Sequence, residues 1–241
     1  MACEGDPPFG WEFEMRRILL VASLALALMA SAAPAAAAET FQFRGQGNWA
    51  NASFSDVPFS EETIPPGTYF YTDVWASSSI VTGEGQTYED SGVCVFHSEI
   101  TVDADGNWSE DNFFGACGAG QLTIARRLGG GSVVATIPMQ ECLNWDKDTG
   151  ECLEAVDLGT IDVDLTLTGT GATYRYHGTS SGGSAGLYQY SQHGTGSSRA
   201  AVPAGTLTFT TTDGSVTDLT GGVAGWASLQ QSRDGYIEVV H

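Results

Sequence analysis

The chain is poor in basic residues. Nine of its 241 residues are Lys or Arg against 29 Asp or Glu, a net charge of −20, and Lys147 is its single lysine. No basic run exists that could neutralise a phosphate backbone, which excludes a non-specific nucleic-acid binder. Sustained helical periodicity is also missing: nowhere do apolar residues recur at i, i+3 and i+4 for three turns. Long apolar runs are scarce, and the strongest, residues 18–30, is shorter than the ~20 residues that span a bilayer. Close cysteine pairs such as C-x2-C do not occur, which argues against zinc. What remains is a chain with a hydrophobic fraction of 42%, too apolar to stay disordered.

The N-terminal region reads as a targeting segment. Met15, Arg16 and Arg17 form a short basic start, residues 18–30 the apolar stretch, and Ala36, Ala37 and Ala38 a small-residue cleavage site before Glu39. Residues 1–14 are acidic, the wrong sign for such a start, so translation is expected to begin at Met15. Cleavage after Ala38 leaves residues 39–241, a chain of 203 with seven basic groups, 25 acidic groups and a charge of −18. That product is expected to lie outside the cell with no membrane span, as one all-β domain.

Four cysteines follow the leader: Cys94, Cys117, Cys142 and Cys152. An even number in an exported chain reads as two disulfides. Of the three possible pairings, Cys94–Cys117 and Cys142–Cys152 are preferred, because each pair flanks a turn-rich insert.

The period of the chain is two. Ile161, Val163, Leu165 and Leu167 alternate with Asp162, Asp164, Thr166 and Thr168, the pattern of a half-buried strand. Cys94, Phe96, Ser98, Ile100 and Val102 likewise alternate with Val95, His97, Glu99 and Thr101. Further strands are expected over 41–55, 67–77, 120–127, 132–139, 172–179, 186–193, 204–212, 222–230 and 235–240. The exported part holds 24 Thr, suited to exposed strand faces, and 29 Gly, suited to turns and bulges. Turn signals such as Asp105-Gly106, Asp213-Gly214 and Asp234-Gly235 punctuate these runs. About ten antiparallel strands indicate a disulfide-stapled β-sandwich or β-barrel. The Ser/Gly-rich stretch 179–186 separates two similar strands and reads as a long hairpin.

The basic-aliphatic leader, the run Asp162 to Gly171, the aromatic hairpin and the run Ser198 to Thr208 together resemble secreted β-rich proteins of actinobacteria. The resemblance covers about the C-terminal half. It implies export and β architecture, and it carries no activity.

Several residue groups offer chemistry. Gly182, Ser184 and Gly186 match the spacing of a nucleophile elbow, with His193 nearby, but no helix is expected after the serine as that motif requires. Asp103, Asp105 and Asn107 have the alternate spacing of a calcium loop yet lack its later Gly and Glu, so a hairpin tip explains them better. Asp146, Asp148 and Glu151 could hold calcium with backbone carbonyls, though a solvated turn accounts for them too. No other cofactor is expected. Asp162 and Asp164, with Glu99 elsewhere, could serve as paired carboxylates of a glycan hydrolase; charges that discourage edge pairing are the plainer explanation. His97, His177 and His193 are not assigned as ligands.

The aromatic hairpin is the leading candidate. Tyr174 and Tyr176 share one strand face, and Tyr188 and Tyr190 one face of the next. Arg175 and His177 project opposite the first pair, and Gln189 and His193 opposite the second. Paired strands would present four tyrosines on one side and an Arg/His/Gln cluster on the reverse. Tyrosine suits sugar stacking or a protein contact, or simply cross-strand packing. Tyr69, Tyr71 and Trp75 form a similar row. The expected role is extracellular, non-catalytic binding of a glycan or protein ligand. The alternatives are an extracellular hydrolase of glycans or esters and a self-associating structural component.

Overall fold

A computed structural model describes residues 39–56, 64–145, 147, 152–184, 187–221 and 224–240. The leader, the calcium candidates Asp146, Asp148 and Glu151, and Gly186 of the elbow motif lie outside the described residues.

Period-two alternation produces eleven strands and no α-helix among the described residues. They are β1 (Glu39–Ser55), β2 (Gly67–Gly83), β3 (Gln86–Val102), β4 (Trp108–Gly118), β5 (Gly120–Ile124) and β6 (Gly130–Trp145). The rest are β7 (Cys152–Gly169), β8 (Tyr174–Ser184), β9 (Tyr188–Thr211), β10 (Val216–Asp218) and β11 (Ala224–Val240). One antiparallel sheet runs β4-β3-β2-β1-β11-β9-β7-β6-β5, with β8 and β10 also paired to β9.

The sheet is not closed. Its two ends, β4 and β5, are consecutive in the chain with Ala119 alone between them, and β4 packs on β6 while β3 packs on β5. The sheet therefore folds over into two layers, a sandwich rather than a barrel. Glycine permits the crossing: a Cβ on Gly120 would stand 2.4 Å from Val93 Cγ2 and 3.0 Å from Ala135 Cβ.

Between the layers lie Val74, Val95, Ile137, Ile161, Leu165 and Leu207, each at most 1% exposed. On β7 the alternation holds through the core, with Ile161, Val163, Leu165 and Leu167 buried and Asp162, Asp164, Thr166 and Thr168 exposed. On β3 it does not. Val93, Val95 and His97 face the core, but beyond Ser98 the buried positions pass to the other face and Val102 is the next buried apolar residue. β3 keeps unbroken register with β2 there, while β4 carries an extra residue between Phe114 and Asp111.

The disulfides are Cys94–Cys117 and Cys142–Cys152. Cys94 and Cys117 are directly opposed on β3 and β4, with Cα atoms 4.0 Å apart. The second bridge joins β6 to β7 at the exposed end of their hairpin.

Two expected strands, 186–193 and 204–212, are one 24-residue strand, β9. Composition suggests a break between them, but β9 changes partners instead. It pairs with β8 over 188–198 and with β7 over 201–211, so both halves satisfy their backbone groups. Likewise the described part of 222–230 and the strand 235–240 both belong to β11.

His97 is buried in the core, where it shares a 2.8 Å hydrogen bond between Nδ1 and Thr72 Oγ1. The Phe114 ring lies 4.9 Å from the imidazole and that of Phe70 5.9 Å. Burial lowers its pKa from 6.5, against the smaller opposing effect of Glu99. The unfolded chain then binds the proton more readily, so the stabilisation is complete above pH 6.5 and is lost as pH falls below it. The urea midpoint is expected to drop between pH 7.5 and 5.5, and His97→Gln to flatten that slope; an unchanged slope in the variant contradicts the assignment.

Candidate functional site

The strands outrun the core. Beyond it, the ends of β3, β2, β1, β11, β9 and β8 continue as a single layer. Strand alternation gives this layer two chemically different faces.

The outer face carries the tyrosines. The register sets Tyr176 opposite Gly196 and Tyr190 opposite Gly182. Each ring lies across its glycine: a Cβ on Gly196 would be 2.1 Å from Tyr176 Cζ, and one on Gly182 3.0 Å from Tyr190 Cε1. Tyr174 stacks on Tyr176 at 6.5 Å, and Tyr190 stacks on Tyr236 at 6.0 Å. Tyr188 is opposite Ser184. The four tyrosines thus share a face but form two rows, because Tyr176 and Tyr190 sit six register steps apart on the hairpin. Tyr174, Tyr176 and Tyr188 remain exposed at 67%, 41% and 38%.

The carboxylates of β11 lie on the same face, Asp234 exposed and Glu238 buried. Tyr236 donates a 2.9 Å hydrogen bond to Glu238 Oε2, and Ser232 one of 3.1 Å to Asp234 Oδ2. Burial, then the bond to Glu238, raises the Tyr236 phenol well above its ordinary pKa. Burial and the nearby Asp234 raise that of Tyr176.

The inner face is concave and mixes polar with apolar side chains. A groove of about 730 Å³ crosses β9, β11, β1 and β2, and a second of about 300 Å³ adjoins it at Gln46, Thr195 and Arg233. The first is lined by Gln42, Arg44, Ile80, Thr82, His193 and Ile237 among others. The second adds Arg175, Ser197 and Gln231. His193 lies over Gly235, where a Cβ would come within 2.4 Å of its Cε1. His177, opposite Thr195, shares this face at its margin. At the border with the core, Gln231 Nε2 donates to Asn48 Oδ1 at 3.1 Å and Asn48 Nδ2 to Ser78 Oγ at 3.2 Å, which fixes the groove floor.

Arg44, Arg175 and Arg233 are exposed, and no described carboxylate forms an ion pair with them. The acids nearest this face are Asp234, which borders the first groove and accepts from Ser232, and two at the rim: Glu89 opposite Ile80, and Glu84, whose Oε1 accepts from the Gln42 amide at 3.4 Å.

No family model and no curated protein matches this sequence. The groove is therefore read from its own chemistry. Free guanidinium forks bind carboxylate, sulfate or phosphate in bidentate fashion, and amides and hydroxyls exchange hydrogen bonds with a hydroxylated ligand.

The remaining candidates do not converge. Ser184 shares the outer face with Tyr188 and Tyr190 by strand parity, whereas His177 and His193 lie on the inner face. Asp162 and Asp164 are exposed on the back of β7, where Asp162 Oδ1 accepts from Thr136 Oγ1 at 2.7 Å. Asp103 closes a hairpin tip, accepting from the Asp105 and Asn107 amides at 2.8 Å each. Tyr71 in the β2 row donates to Asp73 Oδ2 at 2.9 Å, and burial pushes its pKa up to about 12. Among the described residues no three His, Cys, Asp or Glu could hold a metal, and no helix is long and apolar enough to cross a membrane.

Sequence reading singled out Arg175, His177 and His193 but missed Arg44, Arg233, Gln42, Gln46 and Gln231. The signal was present. Gln42, Arg44, Gln46 and Asn48 alternate with Phe43, Gly45, Gly47 and Trp49, a strand whose long polar side chains all take one face.

Proposed function

We propose that this chain is a non-catalytic binding protein that works outside the cell and holds its ligand on the concave inner face of the single-layer sheet. One observation carries the reading: Arg44 and Arg233 line the first groove and Arg175 and Arg233 the adjoining one, and among the described residues no carboxylate pairs with them, on a chain of net charge −20. Structural ion pairing would consume such groups, and a ligand gives them a use. The leader pattern, the likeness to secreted actinobacterial β proteins and the two disulfides support export. On the outer face Tyr176 and Tyr190 shield glycines of the neighbouring strand, a sheet-stabilising arrangement.

An array of soluble glycans and proteins probed with the oxidised exported chain tests the reading. Arg44→Ser/Arg233→Ser is expected to abolish the signals seen with the unmodified chain. Signals that persist in the double variant place recognition elsewhere.

A second reading, self-association, draws on β8: its eleven residues are exposed, and β9 is its only pairing partner among the described residues. An unpaired edge is a template for another strand. Light scattering that rises with protein concentration supports it; a monomer throughout removes it.

A further inference from the structure

We infer that the inner groove takes an acidic polysaccharide, a linear chain bearing carboxylates or sulfates among hydroxyl groups. The inference rests on the binding reading above and names its ligand class.

Charge is the first argument. Arg44, Arg175 and Arg233 are three of only nine basic residues in the whole chain, yet they meet on one concave surface. Alternation on β11 turns the carboxylates of Asp234 and Glu238 toward Ser232 and Tyr236, although Asp234 still borders the groove, while Arg233 enters it. At physiological salt the Debye length is about 8 Å, so an anion in the groove feels mainly the groups around it, the three guanidinium groups together with Asp234 and the rim acids Glu84 and Glu89, and little of the remaining negative charge.

Hydrogen-bonding capacity is the second. Gln42, Gln46 and Gln231 interleave with the arginines, and Thr82, Thr195 and Ser197 add hydroxyls. Such a mixture of amide and hydroxyl groups matches a ligand with a hydroxyl on nearly every carbon, and is more than a bare anion requires.

Shape and the lack of rings complete the argument. Crossing four strands, the groove floor is about 14 Å wide at ~4.8 Å per strand spacing, and it continues into the second groove. An open trough of that form admits an extended chain. Phe43 and Tyr236 border the groove, but their rings pair with each other 6.2 Å apart on the outer side, where Phe43 covers Gly83 and Tyr236 reaches Tyr190. Among the described residues no aromatic platform faces inward for a nucleic-acid base to stack on. Ile80 and Ile237 offer apolar contact for the C–H face of a sugar ring.

The test titrates the oxidised chain with oligogalacturonate, dextran sulfate, neutral dextran and an oligothymidylate at 0.15 M NaCl by calorimetry. Binding of oligogalacturonate or dextran sulfate, weakened at 1 M NaCl and at least tenfold weaker in Arg44→Gln/Arg233→Gln, is the expected result. Which of the two binds separates the uronate source of charge from the sulfate source. The double variant must melt with the unmodified chain, and Arg126→Gln, on a separate turn, must bind normally. Equal binding of neutral dextran, tighter binding of oligothymidylate, or no binding of either acidic glycan overturns the inference. The array described above then decides separately whether the groove binds anything else.

Discussion

Replacing Gly159 with alanine is expected to destabilise the protein by about 2–4 kcal/mol, the combined scale of a strained backbone and an overpacked site. Gly159 is buried on β7 with φ +134°, a conformation that L side chains rarely adopt. Its Cβ would lie 2.0 Å from the Thr210 carbonyl oxygen and 2.8 Å from Thr211 Cα, both backbone atoms of β9. Backbone cannot yield as a flexible side chain can. The position also marks the register shift between Met139 and Gln140 on β6, and the Gly159 amide donates to Asp157 Oδ1 at 3.0 Å. Gly171→Ala is the comparison. Its φ is +65°, but nothing lies within 4 Å of the added carbon, so only the left-handed strain of about 1 kcal/mol applies. Urea unfolding of both oxidised variants checks this; equal losses would mean that the β9 carbonyl does not constrain the site.

Loss of the Cys94–Cys117 bridge is the second large effect. Its sequence separation of 23 corresponds to about 3 kcal/mol in the chain-entropy model, and that of 10 for Cys142–Cys152 to only slightly less. Location separates them. The first bridge pins β4, whose Phe114 and Ala116 pack against the core cluster. The second closes the tip of the β6–β7 hairpin, where Glu141, Leu143 and 152–157 are exposed and no core residue is held. Cys94→Ala/Cys117→Ala is expected to lower the global unfolding free energy by about 3 kcal/mol and the melting temperature by about 6–12 °C. Cys142→Ala/Cys152→Ala is expected to cost under about 1 kcal/mol globally and to speed hydrogen exchange within 140–145 and 152–157, because those strand ends open locally without unfolding the sandwich. Equal global losses would contradict this division.

Much of the fold was legible because a strand announces itself locally. Ile161 to Thr168 reads as a two-faced strand from eight residues, and its buried and exposed positions fall where alternation puts them. The cysteine pairing was legible too, since each bridge spans a short stretch of chain. Other features were not. β4 was missed because its Ser109, Glu110 and Asp111 look like loop residues, yet β3 supplies a partner along their length. The extra residue of β4 opposite Ser98, and the change of buried face along β3 there, cannot be counted from either strand alone.

The binding candidate divides the same way. Sequence alone determined that Tyr174 and Tyr176 oppose Arg175 and His177, because successive side chains on a strand must take opposite faces. It also determined the β character of the chain and the scarcity of basic groups. Only the tertiary structure decided that the Arg/His side is concave and that Arg44 and Arg233 join it. β1 and β11 lie at opposite ends of the described chain and become neighbours through sheet pairing alone. Alternation is a property of each strand by itself, whereas a groove is a property of which strands lie side by side.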